Sequence, residues 1–297
     1  METARGSMAM GEALIYEWEQ WPLRFELHGN DLELQRRASE VLRHWKLPST
    51  AGAAPAKTVR MSAERIAEGY RLTCDNVEES VVYSNASVVL RAVEMSAALA
   101  LLEQYDEVVT VHAGLLARND HGVIIVGPSE SGKSTLSCAL WHAGWQLLAD
   151  DVAILDCGYS TATPLLRRVS LREPSKALLG DDFWNRMVAT PSCDKTSEGY
   201  VFHPDELTEQ SRARSTPLNA IIFLARHGAP GLAPASASRI DSARALLALA
   251  TYTNCLQHTD MGGAMRRLGP LLSSVPAYDL ARGPLSDMIA KIEQLVA

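Results

Sequence analysis

The chain has 297 residues, 47% of them apolar and 21% charged, with a net charge of −7 and a pI near 5.6. That length and apolar content suit one large or two modest globular domains with a real core. The mildly acidic balance excludes a general nucleic-acid binder, because no basic block supplies the phosphate-neutralising charge.

Five cysteines, Cys74, Cys138, Cys157, Cys193 and Cys255, are scattered with neither a C-x-x-C pair nor a histidine cluster beside them. This usage points to reduced thiols in a cytoplasmic protein. The opening METARGSMAMGEALIYEWE lacks an apolar signal core. The most apolar stretch, Ala86–Leu102, is interrupted by Arg91 and Glu94 and reads as a buried amphipathic helix, so no membrane span is expected.

Taken in order, ALIYEW and LRFELH (residues 13–28) are short alternating segments, followed by a helical stretch DLELQRRASEVLRHW with Leu32, Leu34, Ala38, Val41 and Leu42 near one face. STAGAAPAK (49–57) is small and proline-containing and reads as a loop. Two strand-like runs, GYRLTCDN and ESVVYSN, come next, and a helix of about fifteen residues starts near Ala86 with Asn85 or Ser84 as its cap.

The pattern changes at about residue 106. VVTVHAGLLAR (108–118) is a strand or strand pair, ND-HG is a turn, and VIIVG (123–127) is a continuous apolar strand. A glycine-bearing loop and a helix lead to strands QLLA (146–149) and VAILD (152–156). NAIIFLAR (219–226) is a buried strand, DSARALLALAT (241–251) a helix, GAMRRLGPLL a helix, VPAYDL a strand and LSDMIAKIEQLVA a closing amphipathic helix. Strand and helix alternate around one loop, which predicts an α/β fold. Two parts are expected, a smaller α+β portion over 1–105 and an α/β catalytic portion over 106–297.

GPSESGKST (127–135) matches G-x-x-x-x-G-K-[ST] with a strand before it and a helix after it. Gly127 and Gly132 let the backbone curl so that successive N–H groups, from Ser129, Glu130 and Ser131 beyond the loop's Pro128, turn toward phosphate oxygens. The helix N-terminus adds its partial positive charge. Lys133 would bridge the β- and γ-phosphates of ATP, the Ser134 hydroxyl would ligate Mg²⁺, and Thr135 would support the loop or touch phosphate. Leu136 and Leu140 share a face of the following helix and Gly144 sits where a glycine cap belongs. Trp141 and Trp145 should pack as core.

LLADDVAIL (147–155) sets Asp150 and Asp151 between two apolar runs, with Asp150 seventeen residues after Lys133. That spacing holds one helix and one strand, so the pair is expected near the γ-phosphate. One carboxylate can hold Mg²⁺ and the other can take a proton from an incoming hydroxyl.

VHAGLLARNDHGVIIVGPSESGKSTLSCALWHAGWQLLADDVAIL resembles the catalytic core of HPr kinase/phosphorylase and its relatives, including the HPr kinase-like enzymes found beside peptide-tailoring genes. His112, Gly127–Thr135 and Ala149-Asp150-Asp151 follow the family's order and spacing. PLNAIIFLARHGAPG and MRRLGPLLSSVPAYDL look similar to related chains more thinly, and the N-terminal third has no match. The resemblance implies an ATP-dependent kinase acting on a serine hydroxyl, with Asp150 as base, Asp151 as metal ligand, those two roles open to exchange, and His112 positioning phosphate or the acidic pair. The family's substrate-docking and phosphorolysis segment is not recognisable after the acidic pair, where 157–215 reads as loop-rich. HPr itself and the reverse reaction are therefore not implied.

RRVSLREPSK carries Arg167, Arg168, Arg172 and Lys176, suited either to a transferring phosphate or acidic substrate segment or to a solvated turn. CDKTSEGYVFHPDEL (193–207) reads as a mobile loop. The expected partner is a peptide or small protein bearing serine, or a small-molecule alcohol, without nucleic acid or membrane, and with homo-oligomerisation left open. The competing classes are an ATPase with water as acceptor and a nucleotide-binding module without turnover.

Overall fold

The computed structural model describes residues 14–18, 23–42, 57–75, 77–102, 109–165, 167–208, 215–224, 234–253 and 261–296. It is a mixed α/β protein, with three sheets among the described residues.

The first sheet orders β1 (Leu14–Trp18), β2 (Leu23–Gly29), β3 (Lys57–Ile66), β4 (Gly69–Cys74) and β5 (Val77–Tyr83) side by side. Only β2 and β3 run parallel, joined by a crossover that contains α1 (Leu32–Leu42). Asp31 starts α1 by accepting from the N–H groups of Glu33 and Leu34 at 3.0 and 3.1 Å, and Asn85 does the same for Val88 in α2 (Ala86–Leu102) at 3.1 Å. Phe25, Leu27, Val59 and Met61 of the sheet pack with Leu34, Leu42, Leu90 and Val93 of the helices, and Ile154 and Leu165 from later in the chain join that core. β3 alternates buried Val59, Met61 and Ala63 with outward Arg60 and Glu64, a half-buried strand that sequence reading did not anticipate. STAGAAPAK lies outside the described residues except for Lys57, which begins β3.

The largest sheet has nine strands. They are β6 (Val109–Val111), β7 (Ala113–Arg118), β8 (His121–Val126), β9 (Gln146–Ala149), β10 (Ala153–Asp156), β11 (Thr161–Thr163), β15 (Thr216–Leu224), β16 (Ala237–Ile240) and β17 (Ala277–Leu280). The main order is β6-β10-β11-β15-β8-β7-β9, with β17 beside the far half of β15 and β16 outside β17. β8 is buried on both faces, which explains its continuous apolar run. Ile124 and Val126 face a core shared with α6 (Ser242–Ala250) and α7 (Met261–Ser274), through Leu249, Leu268 and Leu271. Val123 and Ile125 face a core shared with α3 (Lys133–His142) and α8 (Leu285–Val296), through Leu136, Leu140 and Ile292.

β15 and β17 run parallel to β8, and β9 does too, because β7 is antiparallel to both β8 and β9. The carboxyl ends of these four strands therefore meet one edge of the sheet, the edge where α/β folds hold ligands. β9 is not the immediate neighbour of β8; β7 intervenes.

The described residues between 157 and 215 are more regular than the sequence suggested. β12 (Val169–Leu171), β13 (Asp194–Thr196) and β14 (Gly199–Phe202) form the third sheet, in the order β12-β14-β13. α4 (Lys176–Leu179) and α5 (Asp181–Val188) follow β12. Phe183 meets Trp141 of α3 and Phe202 of β14 edge-on, with ring centroids 6.0 and 6.4 Å apart. The segment read as a mobile loop, 193–207, contains the β13–β14 hairpin, closed by Thr196↔Gly199 pairing. Trp141 and Trp145 are buried as expected. No described helix is long and apolar enough to cross a membrane.

Candidate active site

β8 ends at Val126, and Gly127–Gly132 turn over the sheet edge into α3, whose first residue is Lys133. Gly132 has φ +91° and Glu130 φ +67°, and this left-handed geometry favours glycine at 132. Gly127 is required by space: a Cβ there would stand 2.8 Å from Ser131 Oγ and 3.2 Å from the Leu224 carbonyl oxygen. Lys133 is buried and folds back over the loop, its Nζ donating to the carbonyls of Gly127 at 2.7 Å and Pro128 at 3.2 Å. Burial lowers its ammonium pKa, against the opposing pull of Asp150 and Asp151.

Asp150 and Asp151 open the three-residue gap between β9 and β10. Asp150 is buried, and with Ser134 it lines the same cleft. Burial pushes its carboxyl up to about 6; the Ser134 hydroxyl opposes this, Asp151 adds to it, and Lys133 and His112 oppose it again. Its Oδ1 is buried with no hydrogen-bond partner. Asp151 sits differently. His112 Nδ1 stands 2.9 Å from its Oδ1, and Arg167 Nη1 donates to its Oδ2 at 3.2 Å. Burial alone would raise this carboxyl, but the His112 bond and the charges of Arg167, His112 and Arg91 hold it near 2. His112 occupies the one-residue break between β6 and β7, which explains why 108–118 forms two strands.

These groups line one cleft of about 470 Å³, a size suited to a small-molecule site. Ser129, Glu130, Gly132, Lys133, Ser134 and Thr135 form one side, and His112, Asp150 and Asp151 form its base. Arg91 and Glu94 of α2, Arg167 and Arg168 just before β12, and Glu198 of the β13–β14 turn line it as well. Thr135 is held away from a purely phosphate role, its hydroxyl lying 2.8 Å from Ser175 Oγ.

The RRVSLREPSK cluster is not a solvated turn at its start. Arg168 is buried and bonds Glu94 twice, through its backbone N–H at 3.0 Å and Nε at 3.1 Å, and Asp194 through Nη1 at 2.9 Å. Asp194 also receives Arg37 of α1. The charge that interrupts the apolar α2 helix at Glu94 is thereby accounted for. Arg172 pairs with Glu130 at the lip.

Sequence reading missed Arg282, which follows β17 and donates through Nη2 to the carbonyls of Glu130 and Ser131. It lies about 150 residues downstream of the loop it touches and belongs to no motif. The available signal is its place just beyond a short apolar strand.

The chemistry of the donor set suits a cation shared with a ligand. Among the described residues no group of three or more His, Cys, Asp or Glu side chains is placed to hold a metal. Ser134 and the unpartnered Asp150 oxygen instead offer one hydroxyl and one carboxylate, a set that fits Mg²⁺ completed by phosphate oxygens and water.

No protein-family model matches the chain, and no curated protein matches it. Among solved structures it is similar to that of the Hpr(Ser) kinase/phosphatase from Coxiella burnetii, at 19% identity over 63% of this chain and 93% of that one, with a TM-score of 0.31.

Proposed function

We propose that this chain is a P-loop kinase that moves the γ-phosphoryl group of ATP to a hydroxyl, most naturally a serine of a peptide or small protein, with a small-molecule alcohol as the variant. The observation that carries this reading is that Lys133 and Ser134, at the start of the α3 helix, share one cleft with buried Asp150, whose Oδ1 has no hydrogen-bond partner. The Gly127–Thr135 backbone and Lys133 would cradle the β- and γ-phosphates. Ser134 and Asp150 would hold Mg²⁺, whose charge offsets that of the phosphates.

Asp151 is then the group left facing the acceptor. Its side chain is 37% exposed and stays ionised beside His112 and Arg167. It would accept a hydrogen bond from the acceptor hydroxyl and take its proton as the γ-phosphorus–oxygen bond to ADP breaks and the new ester bond forms. This assignment exchanges the roles that the family resemblance gives the two aspartates. His112 orients Asp151. The reading keeps a division near residue 105, with 106–297 as the catalytic portion and the α+β portion supplying one cleft wall.

The test is incubation with ATP and Mg²⁺, with and without serine-bearing peptides and small alcohols, following phosphate by mass. A phosphorylated acceptor is the expected result. Steady phosphate release that no acceptor alters would overturn it in favour of an ATPase.

A further inference from the structure

We propose that Arg172 is a further nucleotide-binding residue, whose guanidinium rests on Glu130 of the glycine loop and exchanges that carboxylate for the phosphates of the bound nucleotide. This rests on the nucleotide reading of the Gly127–Thr135 loop and is independent of the acceptor.

Six cationic side chains line the cleft, Arg91, Lys133, Arg167, Arg168, Arg172 and Arg282. Their partners divide them. Arg167 and Arg168 are buried and committed to Asp151, Glu94 and Asp194. Arg282 holds two loop carbonyls. Arg91 pairs with Glu198 of the β13–β14 turn, and its charge bears on Asp151, the carboxylate assigned to the acceptor. Arg172 meets the loop through a side chain, the Glu130 carboxylate.

The root of Arg172 is fixed and its head is open. Its carbonyl accepts from the Ser175 N–H at 2.9 Å, and Ser175 Oγ lies 2.8 Å from Thr135 Oγ1 in the first turn of α3. On its other side Gly199 packs so closely that a Cβ there would stand 3.0 Å from Arg172 Cα. The side chain, by contrast, is 51% exposed and that of Glu130 64%. An ion pair between two such exposed groups contributes little to stability, so its exchange costs little.

Glu130 supplies the reason for exchange. It lies in the loop's left-handed turn, at φ +67°, so a triphosphate seated on this loop brings its charge close to a carboxylate that repels it. Arg172 offsets that repulsion while it stays on Glu130. Phosphate oxygens match the guanidinium fork as well as a carboxylate does, and the triphosphate carries the larger charge, so the arginine moves to it. Glu130 therefore competes with the nucleotide for Arg172.

The experiment is calorimetric titration of the full-length protein with Mg²⁺ and a non-hydrolysable ATP analogue. Glu130→Gln removes the competitor and should tighten binding about threefold or more; unchanged or weakened binding overturns the exchange. Arg172→Met should weaken binding at least about tenfold, the scale of a lost charged hydrogen bond. The decisive comparison is Arg172→Met within Glu130→Gln. A guanidinium that reaches phosphate still matters there, and its loss should weaken binding about fivefold or more. If Arg172 only neutralises Glu130, its loss changes nothing in that background, and the proposal is overturned. Arg172→Lys keeps the charge without the fork; it should recover part of the affinity, and it replaces the methionine variant if that one does not fold. Lys176→Met removes the same charge four residues on, outside the cleft lining, and should leave affinity within about twofold. A loss equal to that of Arg172→Met would mean a general charge effect and overturn the proposal. A wild type that binds no analogue overturns the nucleotide reading itself; one that binds it and fails the comparison overturns only the role of Arg172.

Discussion

Glu94 and Arg168 form a buried two-bond ion pair that ties the α2 helix to the chain just before β12, with the Arg168 N–H and Nε both on one carboxylate. Their side chains are 3% and 1% exposed. Glu94 thus fixes the cleft wall from the α+β portion of the chain.

Removing one member of such a pair strands the other charge without water, at a cost of about 3–5 kcal/mol. Glu94→Ala should lower the unfolding free energy measured in urea by that amount. The double variant Glu94→Ala with Arg168→Met should recover a substantial part, because Asp194 still holds Arg37 and no unpaired arginine remains. A single variant as stable as the wild type would remove the pair from the fold's supports.

The two aspartates predict opposite failures. Asp150 shares the cleft with Ser134 and keeps one oxygen without a partner, so Asp150→Asn should abolish the Mg²⁺-dependence of nucleotide affinity along with turnover. Asp151 meets His112 and Arg167 instead. Asp151→Asn should leave Mg²⁺–nucleotide affinity within about twofold and lower kcat by roughly 10²–10⁴, the scale of a lost general base. Titrating nucleotide at several Mg²⁺ concentrations, beside single-turnover transfer, separates them. The reverse pattern would restore the assignment implied by the family resemblance.

The loop and the acidic pair were legible because their signals are local. Gly127–Thr135 spells its own geometry, and the Lys133 to Asp150 interval leaves room for one helix and one strand, both present. The rest of the cleft wall was not. β12 and β13 have three residues each, too few to show a period, so 157–215 read as loop although Phe183 and Phe202 anchor it. β3 does alternate, but its Met61, Ala63, Glu64 and Arg65 favour helices in isolation; pairing with β2 and β4 overrides them. Arg167 and Arg168 were visible as charges, and only the chain's return past α2 decides that they are buried.

Asp31 gives a pH signature remote from the site. Burial would raise its carboxyl, but hydrogen bonds from the Leu34 N–H, the Tyr70 hydroxyl and the Glu33 N–H, with the charge of Arg65, hold it below the ordinary value of 3.8. The unfolded chain therefore binds a proton more readily, and stability rises with pH across that interval. The contribution is complete above the unfolded value and is lost as pH falls through the lower folded one. Asp31→Asn keeps a capping oxygen but no titrating charge, so its stability should fall less steeply below about pH 4. Asp31→Ala should cost about 1 kcal/mol at neutral pH through the lost cap of α1. Urea unfolding of the three proteins from pH 7 downward checks both, and parallel acid limbs for wild type and Asp31→Asn would refute the first.

Arg282 is the prediction that sequence alone would not have prompted. Its guanidinium holds the carbonyls of Glu130 and Ser131 beside Gly132, whose left-handed φ sets the direction of the next N–H groups. Those two carbonyls are thereby held by the guanidinium, while the Ser131 N–H is given to the Pro128 carbonyl at 3.1 Å, so Arg282 helps to fix the loop's shape. A hydrogen bond from a charged donor contributes about 1.5–3 kcal/mol, so Arg282→Ala should raise the nucleotide dissociation constant by roughly ten- to a hundredfold. Because the arginine acts through the loop and not on the acceptor, kcat at saturating nucleotide should change far less than KM for ATP. Arg282→Lys should recover part of the affinity, since one ammonium can still reach a carbonyl. Equal losses in kcat and kcat/KM would mean that Arg282 acts on the reacting phosphate itself, and unchanged affinity in Arg282→Ala would mean that the loop keeps its shape unaided.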